Sequence, residues 1–171
     1  DYVLPVRIAS STGEPMGQNK YTKVLAHIGF KNDYSGTYSG KGVITQQGTT
    51  YTTEITSTLL YAINNNVCYM FVGEKTRANT QDYLNYVVEI ERNEWGGIVL
   101  SSNVEGLQFK PYSAKLSRKY TYNYNDQRYY TEITTIELAY EYLDSTQGEP
   151  LMMSFEGTFS MSRDVLRVEY P

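Results

Sequence analysis

Apolar and polar residues alternate with a period of two through most of the chain, as in strands that bury one face. Leu4, Val6 and Ile8 share a phase, opposite Val3, Arg7 and Ala9. Pro5 has no N–H to give a ladder, which places this first strand at an edge. Residues 10–20 carry Gly13, Pro15, Gly17 and Asn19, a turn-rich stretch. Residues 21–30 read as a second strand, so residues 1–30 form a β-hairpin with a long connection. Lys31-Asn32-Asp33 is a polar break and the expected domain boundary.

Beyond it, strands are expected near 34–46, 50–61, 67–73, 83–92, 97–102, 116–125, 129–142 and 151–162, with a short one at 164–170. That is the spacing of an all-β meander. Residues 74–82 and 103–115 read as loops, with one short helix around 80–84. Gln47-Gly48, Asn64-Asn65-Asn66, the glycine tip of Glu94-Trp95-Gly96-Gly97 and Asn125-Asp126-Gln127 supply the turns. In the second of these strands Tyr51, Thr53, Ile55, Ser57, Leu59 and Tyr61 are expected on one face. In the seventh, Ile133 is out of phase with Ile136 and Leu138, which predicts a bulge near Thr134-Thr135.

One pattern occurs twice. Tyr34-Ser35-Gly36-Thr37-Tyr38-Ser39 returns as Phe155-Glu156-Gly157-Thr158-Phe159-Ser160. Glycine inside a strand marks a bulge, a bend or a close backbone approach. The two copies are therefore expected as neighbours in one sheet, first strand against last, closing it into a barrel without a free edge.

Composition narrows the function more than it identifies it. The 171 residues carry a net charge of −4, and the pI is near 5.1, which argues against a nucleic-acid partner. No apolar run is long enough for a transmembrane helix. Cys68, the single cysteine, lies in an apolar strand-like run and reads as a buried thiol. His27, the single histidine, has no nucleophile elbow near it. Gly36, Gly40 and Gly42 precede no helix or P-loop lysine. Glu89 with Glu91, and Glu137 with Glu141, are same-face acids of the kind that normally meet solvent. No enzyme, metal or cofactor is expected.

The candidate chemistry is aromatic. Tyr120, Tyr122 and Tyr124 fall on one face, followed by Arg128 and Tyr129, while Trp95 and Tyr112 sit on expected loops. Flat rings with polar tips suit sugars, whose C–H faces stack while their hydroxyls need partners. These seven residues form the candidate ligand-binding set. Tyrosines also cover sheet faces without binding anything. A lipocalin-like carrier of a small apolar ligand and a structural spacer are the alternatives.

Tyr2-Val3-Leu4-Pro5-Val6-Arg7-Ile8-Ala9-Ser10-Ser11, followed after the turn by Tyr21-Thr22-Lys23-Val24-Leu25-Ala26-His27-Ile28, resembles the closing hairpin of an immunoglobulin-like domain. That domain is found near the N-terminus of Bacteroidetes surface lipoproteins. Asn32-Asp33-Tyr34-Ser35-Gly36-Thr37-Tyr38 resembles the opening of the domain of unknown function that follows it there. The arrangement is similar to that of SusE-like glycan-binding lipoproteins of polysaccharide-utilisation systems. The resemblance implies a calycin-like (lipocalin-like), mostly antiparallel barrel of eight or nine strands over 34–171, with a two-sheet β-sandwich as the alternative. It implies a cell-surface or periplasmic protein, held at the outer membrane by a lipid anchor outside this sequence, with a polysaccharide or oligosaccharide as partner. A hairpin without its partner strands has exposed edges, so residues 1–30 are expected to pack on the barrel or pair with another copy.

Overall fold

The computed structural model describes residues 2–7, 23–28, 31–81, 83–122, 124–126, 128–146 and 148–166. The chain divides into two compact units, Asp1–Phe30 and Lys31–Pro171. In the first, β1 (Tyr2–Arg7) and β2 (Lys23–Ile28) form an antiparallel pair, with Tyr2 opposite Ile28 and Arg7 opposite Lys23. The turn-rich stretch at 10–20 and the end of the expected strand at 164–170 lie outside the described residues.

The second unit contains β3 (Gly36–Gln46), β4 (Thr52–Ala62), β5 (Val67–Phe71), β6 (Val87–Arg92), β7 (Ile98–Ser101), β8 (Lys110–Tyr122), β9 (Tyr129–Asp144) and β10 (Leu151–Leu166). They form one antiparallel sheet in the order β7-β6-β5-β4-β3-β10-β9-β8. The sheet curls until its end strands β7 and β8 come against each other. The architecture is thus an all-β, nearly closed eight-stranded barrel, and not a two-sheet sandwich.

The strands that carry the repeated motif, β3 and β10, are neighbours and form a seam, although the two copies themselves meet only at Ser39 and Ser160. Gly40 lies opposite Phe159 and Gly42 opposite Gly157. A Cβ on Gly40 would run into the Thr158 carbonyl oxygen and sit 2.7 Å from Phe159 Cα; one on Gly42 would sit 2.8–2.9 Å from the Phe155 and Phe159 rings. Those rings lie parallel, with 6.2 Å between centroids, and occupy the space that side chains at 42 and 157 would need. The seam falls in mid-sheet, however. Pairing first strand with last does not remove the free edges, which belong to β7 and β8. Lys110, Pro111, Lys115 and Lys119 blunt the β8 edge.

Side-chain phase is corrected in two strands. β9 pairs with β10 without a slip from Tyr129↔Leu166 to Asp144↔Leu151, so there is no bulge at Thr134-Thr135. Glu132 and Thr134 are buried in phase with Ile136, Leu138, Tyr140 and Tyr142, and polar residues on the inner face disguised a regular strand. The irregularity sits instead in β3 between Ser39 and Gly42, opposite Ser57 and Ile55 of β4. Across it β4 changes face: Ile55 and Leu60 are buried, while Leu59, expected to share a face with Ile55, is exposed.

Other boundaries shift locally. Tyr83–Tyr86 forms a 3-10 turn before β6, in place of strand or of a helix at 80–84. β8 begins at Lys110, inside the expected loop at 103–115, with a register shift between Pro111 and Ser113. One continuous core fills the barrel, with Tyr38, Tyr140, Phe155 and Phe159 among its buried rings.

Candidate functional site

β10 pairs with β3 only as far as Ser160↔Ser39, whereas β8, β9 and β10 continue together to Tyr122, Tyr130 and Val165. The result is a three-stranded arm extending past β3. Directly opposed residues share a face, so Tyr120, Glu132 and Arg163 project together, as do Tyr122, Tyr130 and Val165. This face continues the barrel interior into solvent. Tyr120 is 56 % exposed, Tyr122 42 % and Tyr124 89 %. Tyr122 meets Tyr130 edge-on at 5.9 Å and lies 5.7 Å from Tyr124.

The other predicted residues are placed differently. Tyr129 is next to Tyr130 in β9 and so points to the opposite face; the Arg128 guanidinium lies 5.7 Å from its ring. Arg128 is held by Asp126 through Nε at 3.0 Å and Nη2 at 2.6 Å. Those side-chain bonds, with a backbone bond from the Arg128 N–H, lower the Asp126 pKa to about 2. Trp95 is 92 % exposed on the β6–β7 turn, where its backbone N–H and that of Gly97 donate to Asn93 Oδ1. Tyr112 lies at the opposite end of β8 from the arm, and its hydrogen bond with Glu141 raises its pKa. The structure therefore brings Tyr120, Tyr122 and Tyr124 together with Tyr130, and leaves Trp95 and Tyr112 apart from them.

At the base of the arm lies a charged cluster that the strand pattern concealed. The Glu132 side chain is only 3 % exposed. Arg163 donates to its Oε1 from Nε at 2.9 Å and approaches it with Nη2 at 2.8 Å, and the Thr134 hydroxyl donates to the same atom at 3.3 Å. Arg118 Nη1 lies 4.0 Å from Glu132 Oε2 and 3.7 Å from Asp33 Oδ2. A buried carboxylate requires such pairing. Arg118 Nε and Nη2 are buried without a protein acceptor. The cluster joins all three strands of the arm to Asp33, just before β3. The signal for it was present: Glu132 and Thr134 continue the two-residue phase of Ile136 to Tyr142.

At the opposite mouth a cavity of about 300 Å3 is lined by Tyr51, Lys75, Tyr142 and Asp144, among others. Lys75 Nζ binds Asp144 at 2.7 Å and the Thr146 hydroxyl at 3.0 Å. Burial pushes the Asp144 pKa up, but its bonds to Lys75 and Thr146 outweigh that and lower it. Burial raises the Cys68 thiol to about 11, despite its hydrogen bonds with Asn32. Among the described residues no group of histidine, cysteine, aspartate and glutamate is placed to hold a metal. No helix among them is long and apolar enough to cross a membrane.

A family model described as "-like, C-terminal" matches residues 22–160. The chain belongs to this "-like, C-terminal" family. Solved structures share the fold of this family member. A Bacteroides ovatus protein of unknown function is 20 % identical with a TM-score of 0.79, over 96 % of this chain and 58 % of its own. An auxiliary nutrient binding protein of Bacteroides thetaiotaomicron is 20 % identical with a TM-score of 0.73, over 96 % and 58 %. A multidomain protein of Bacteroides ovatus is 17 % identical with a TM-score of 0.69, over 80 % and 59 %. The chain thus spans less than two thirds of the length of these structures. No curated protein matches it.

Proposed function

We propose that this chain is a non-enzymatic carbohydrate-binding module of a cell-surface or periplasmic protein. The observation that carries the reading is the arm, which holds Tyr120 and Tyr122 out in solvent on strands anchored by the Glu132 cluster, with Tyr124 just beyond the end of β8. Exposed rings in a row match a glycan chain: sugar C–H faces rest on the rings, and hydroxyls meet the phenol groups. Fixing the rings in advance lowers the ordering cost of binding. The nutrient-binding description of one fold relative agrees with a ligand-binding role. Trp95, Tyr112, Arg128 and Tyr129 are secondary contacts on this reading. A filled barrel core disfavours the carrier alternative. Residues 1–30, on the same reading, are the tail of an immunoglobulin-like domain.

Affinity electrophoresis of the full chain through gels containing soluble plant and host polysaccharides tests this. At least one polysaccharide should retard the protein, and Tyr122→Ala/Tyr124→Ala should restore free migration. Free migration of the unaltered chain in every gel would end the carbohydrate reading.

A further inference from the structure

β4 and β5 pair only at Tyr61↔Tyr69 and Ala62↔Cys68. Upstream, β4 stays with β3, whereas the chain leaving β5 turns at Gly73, whose φ is +54°. The two segments diverge and leave a groove of about 510 Å3, within the range of small-ligand sites. Its end wall is Tyr61 and Phe71. Tyr69 stacks on Tyr61 at 4.8 Å, and Tyr83 meets Phe71 edge-on at 5.6 Å. The Arg77 guanidinium lies 5.5 Å from the Tyr61 and Tyr83 rings, and its Nη2 donates to the Tyr69 hydroxyl at 2.8 Å. These contacts hold the wall together without any ligand.

The long wall is a row of hydroxyls. At the change of face in β4, Thr56 and Ser57 are both exposed in succession, beside Thr37 of β3. Among the described residues none of these three hydroxyls has an intramolecular partner. The groove carries no net charge: Glu54 is paired with Lys41, Lys75 is taken by Asp144, and the Glu74 carboxylate is balanced by the Arg77 guanidinium, which is engaged with the tyrosines of the end wall. An apolar end, free neutral hydroxyls and balanced charge select an uncharged, hydroxyl-rich ligand.

We propose that the groove between β4 and the 73–76 segment is a second binding site, which takes the end of an uncharged oligosaccharide. Sugar C–H groups rest against Tyr61, which the buried Phe71 backs, and the exposed Leu59 side chain, and sugar hydroxyls pair with Thr37, Thr56 and Ser57. The ligand class rests on the function proposed above, whereas the site lies on other residues and is tested separately.

The test is calorimetric titration of the full chain with cello-, xylo-, manno- and maltohexaose, and with oligogalacturonate as the charged probe. Ser57→Arg fills the groove from an exposed position; Thr56→Arg replaces it should its melting temperature drop. The expected result is that a neutral hexaose binds, Ser57→Arg weakens it at least tenfold, and oligogalacturonate binds at least tenfold more weakly than that hexaose. Loss on Tyr122→Ala/Tyr124→Ala with unchanged binding by Ser57→Arg overturns the groove and leaves the arm standing. Loss on Ser57→Arg alone supports the groove and counts against the arm. Absence of binding by any neutral hexaose, or preference for oligogalacturonate, overturns the groove proposal.

Discussion

Gly40→Ala is the sharpest test of the seam. The new methyl would run into the Thr158 carbonyl oxygen and lie 2.7 Å from Phe159 Cα. Both are backbone atoms, so no rotamer change relieves the clash. β3 and β10 must part locally, losing two or three ladder hydrogen bonds at about 1 kcal/mol each, roughly 3 kcal/mol in all. At Gly42 the methyl meets ring atoms of Phe155 and Phe159 at 2.8–2.9 Å. Those rings are buried, and overpacking of this kind costs about 1–3 kcal/mol. Replacing a strand glycine returns about 0.5–1 kcal/mol of backbone entropy. Gly42→Ala should therefore lose about 1 kcal/mol net, less than Gly40→Ala. A methyl group at Gly106 would have nothing within 4 Å, and Gly106→Ala should fall within about 0.5 kcal/mol of the unaltered chain. Urea unfolding followed by far-UV circular dichroism gives the midpoints, and unchanged slopes would show that the unfolded state is unaffected. Net of the same entropy return Gly40→Ala loses about 2 kcal/mol, and at about 2–4 °C per kcal/mol for a unit of this size it should also melt roughly 6 °C lower. A Gly40→Ala midpoint equal to that of Gly106→Ala would refute the close seam.

Three further outcomes follow from buried groups. Arg163→Ala leaves Glu132 with Arg118 4.0 Å away as its nearest cation and should cost about 3 kcal/mol in urea unfolding, as for other broken buried pairs. Because Asp144 has a lowered native pKa, its contribution is full above about pH 4, the unfolded value, and is lost as pH falls through the native value. Lys75→Met should therefore destabilise by about 1–3 kcal/mol at neutral pH, with the gap from the unaltered chain narrowing below about pH 4. Cys68 has the opposite sign. Its native value near 11 exceeds an unfolded value of about 8.5, so its contribution is complete below the unfolded value and is lost as pH rises toward the native one. At pH 8 this corresponds to a thiolate fraction roughly 200-fold lower in the native state, which slow iodoacetamide labelling that accelerates in urea would show.

The strand order was legible where alternation and turns agreed. Gln47-Gly48, Asn64-Asn65-Asn66 and the glycine tip at Trp95 all separate observed strands, and the repeated glycine–aromatic motif located the β3–β10 seam. Phase failed where a polar side chain was buried. Glu132 and Thr134 made a regular β9 look bulged, because their burial depends on Arg163 from β10, far away in sequence. The real irregularity was hidden in β3 between Ser39 and Gly42, because Thr56 and Ser57 in the facing part of β4 suit either face. Exposed tyrosines could be named from their spacing, but not grouped. Tyr120, Tyr122 and Tyr124 share a surface only because β8 outruns β3. The groove was not legible: its walls come from β4 and the segment after β5, and their separation depends on how short the β4–β5 ladder is.

The proposed function requires that the arm's tyrosines contact carbohydrate. Heteronuclear NMR of the 15N-labelled full chain, titrated with an oligosaccharide from a polysaccharide that retards it, tests this most directly. Saturable shifts centred on the amides of residues 120–124 and 130 are expected, abolished by Tyr122→Ala/Tyr124→Ala. Saturable shifts confined to other surfaces, with the 120–124 amides unmoved, would contradict it.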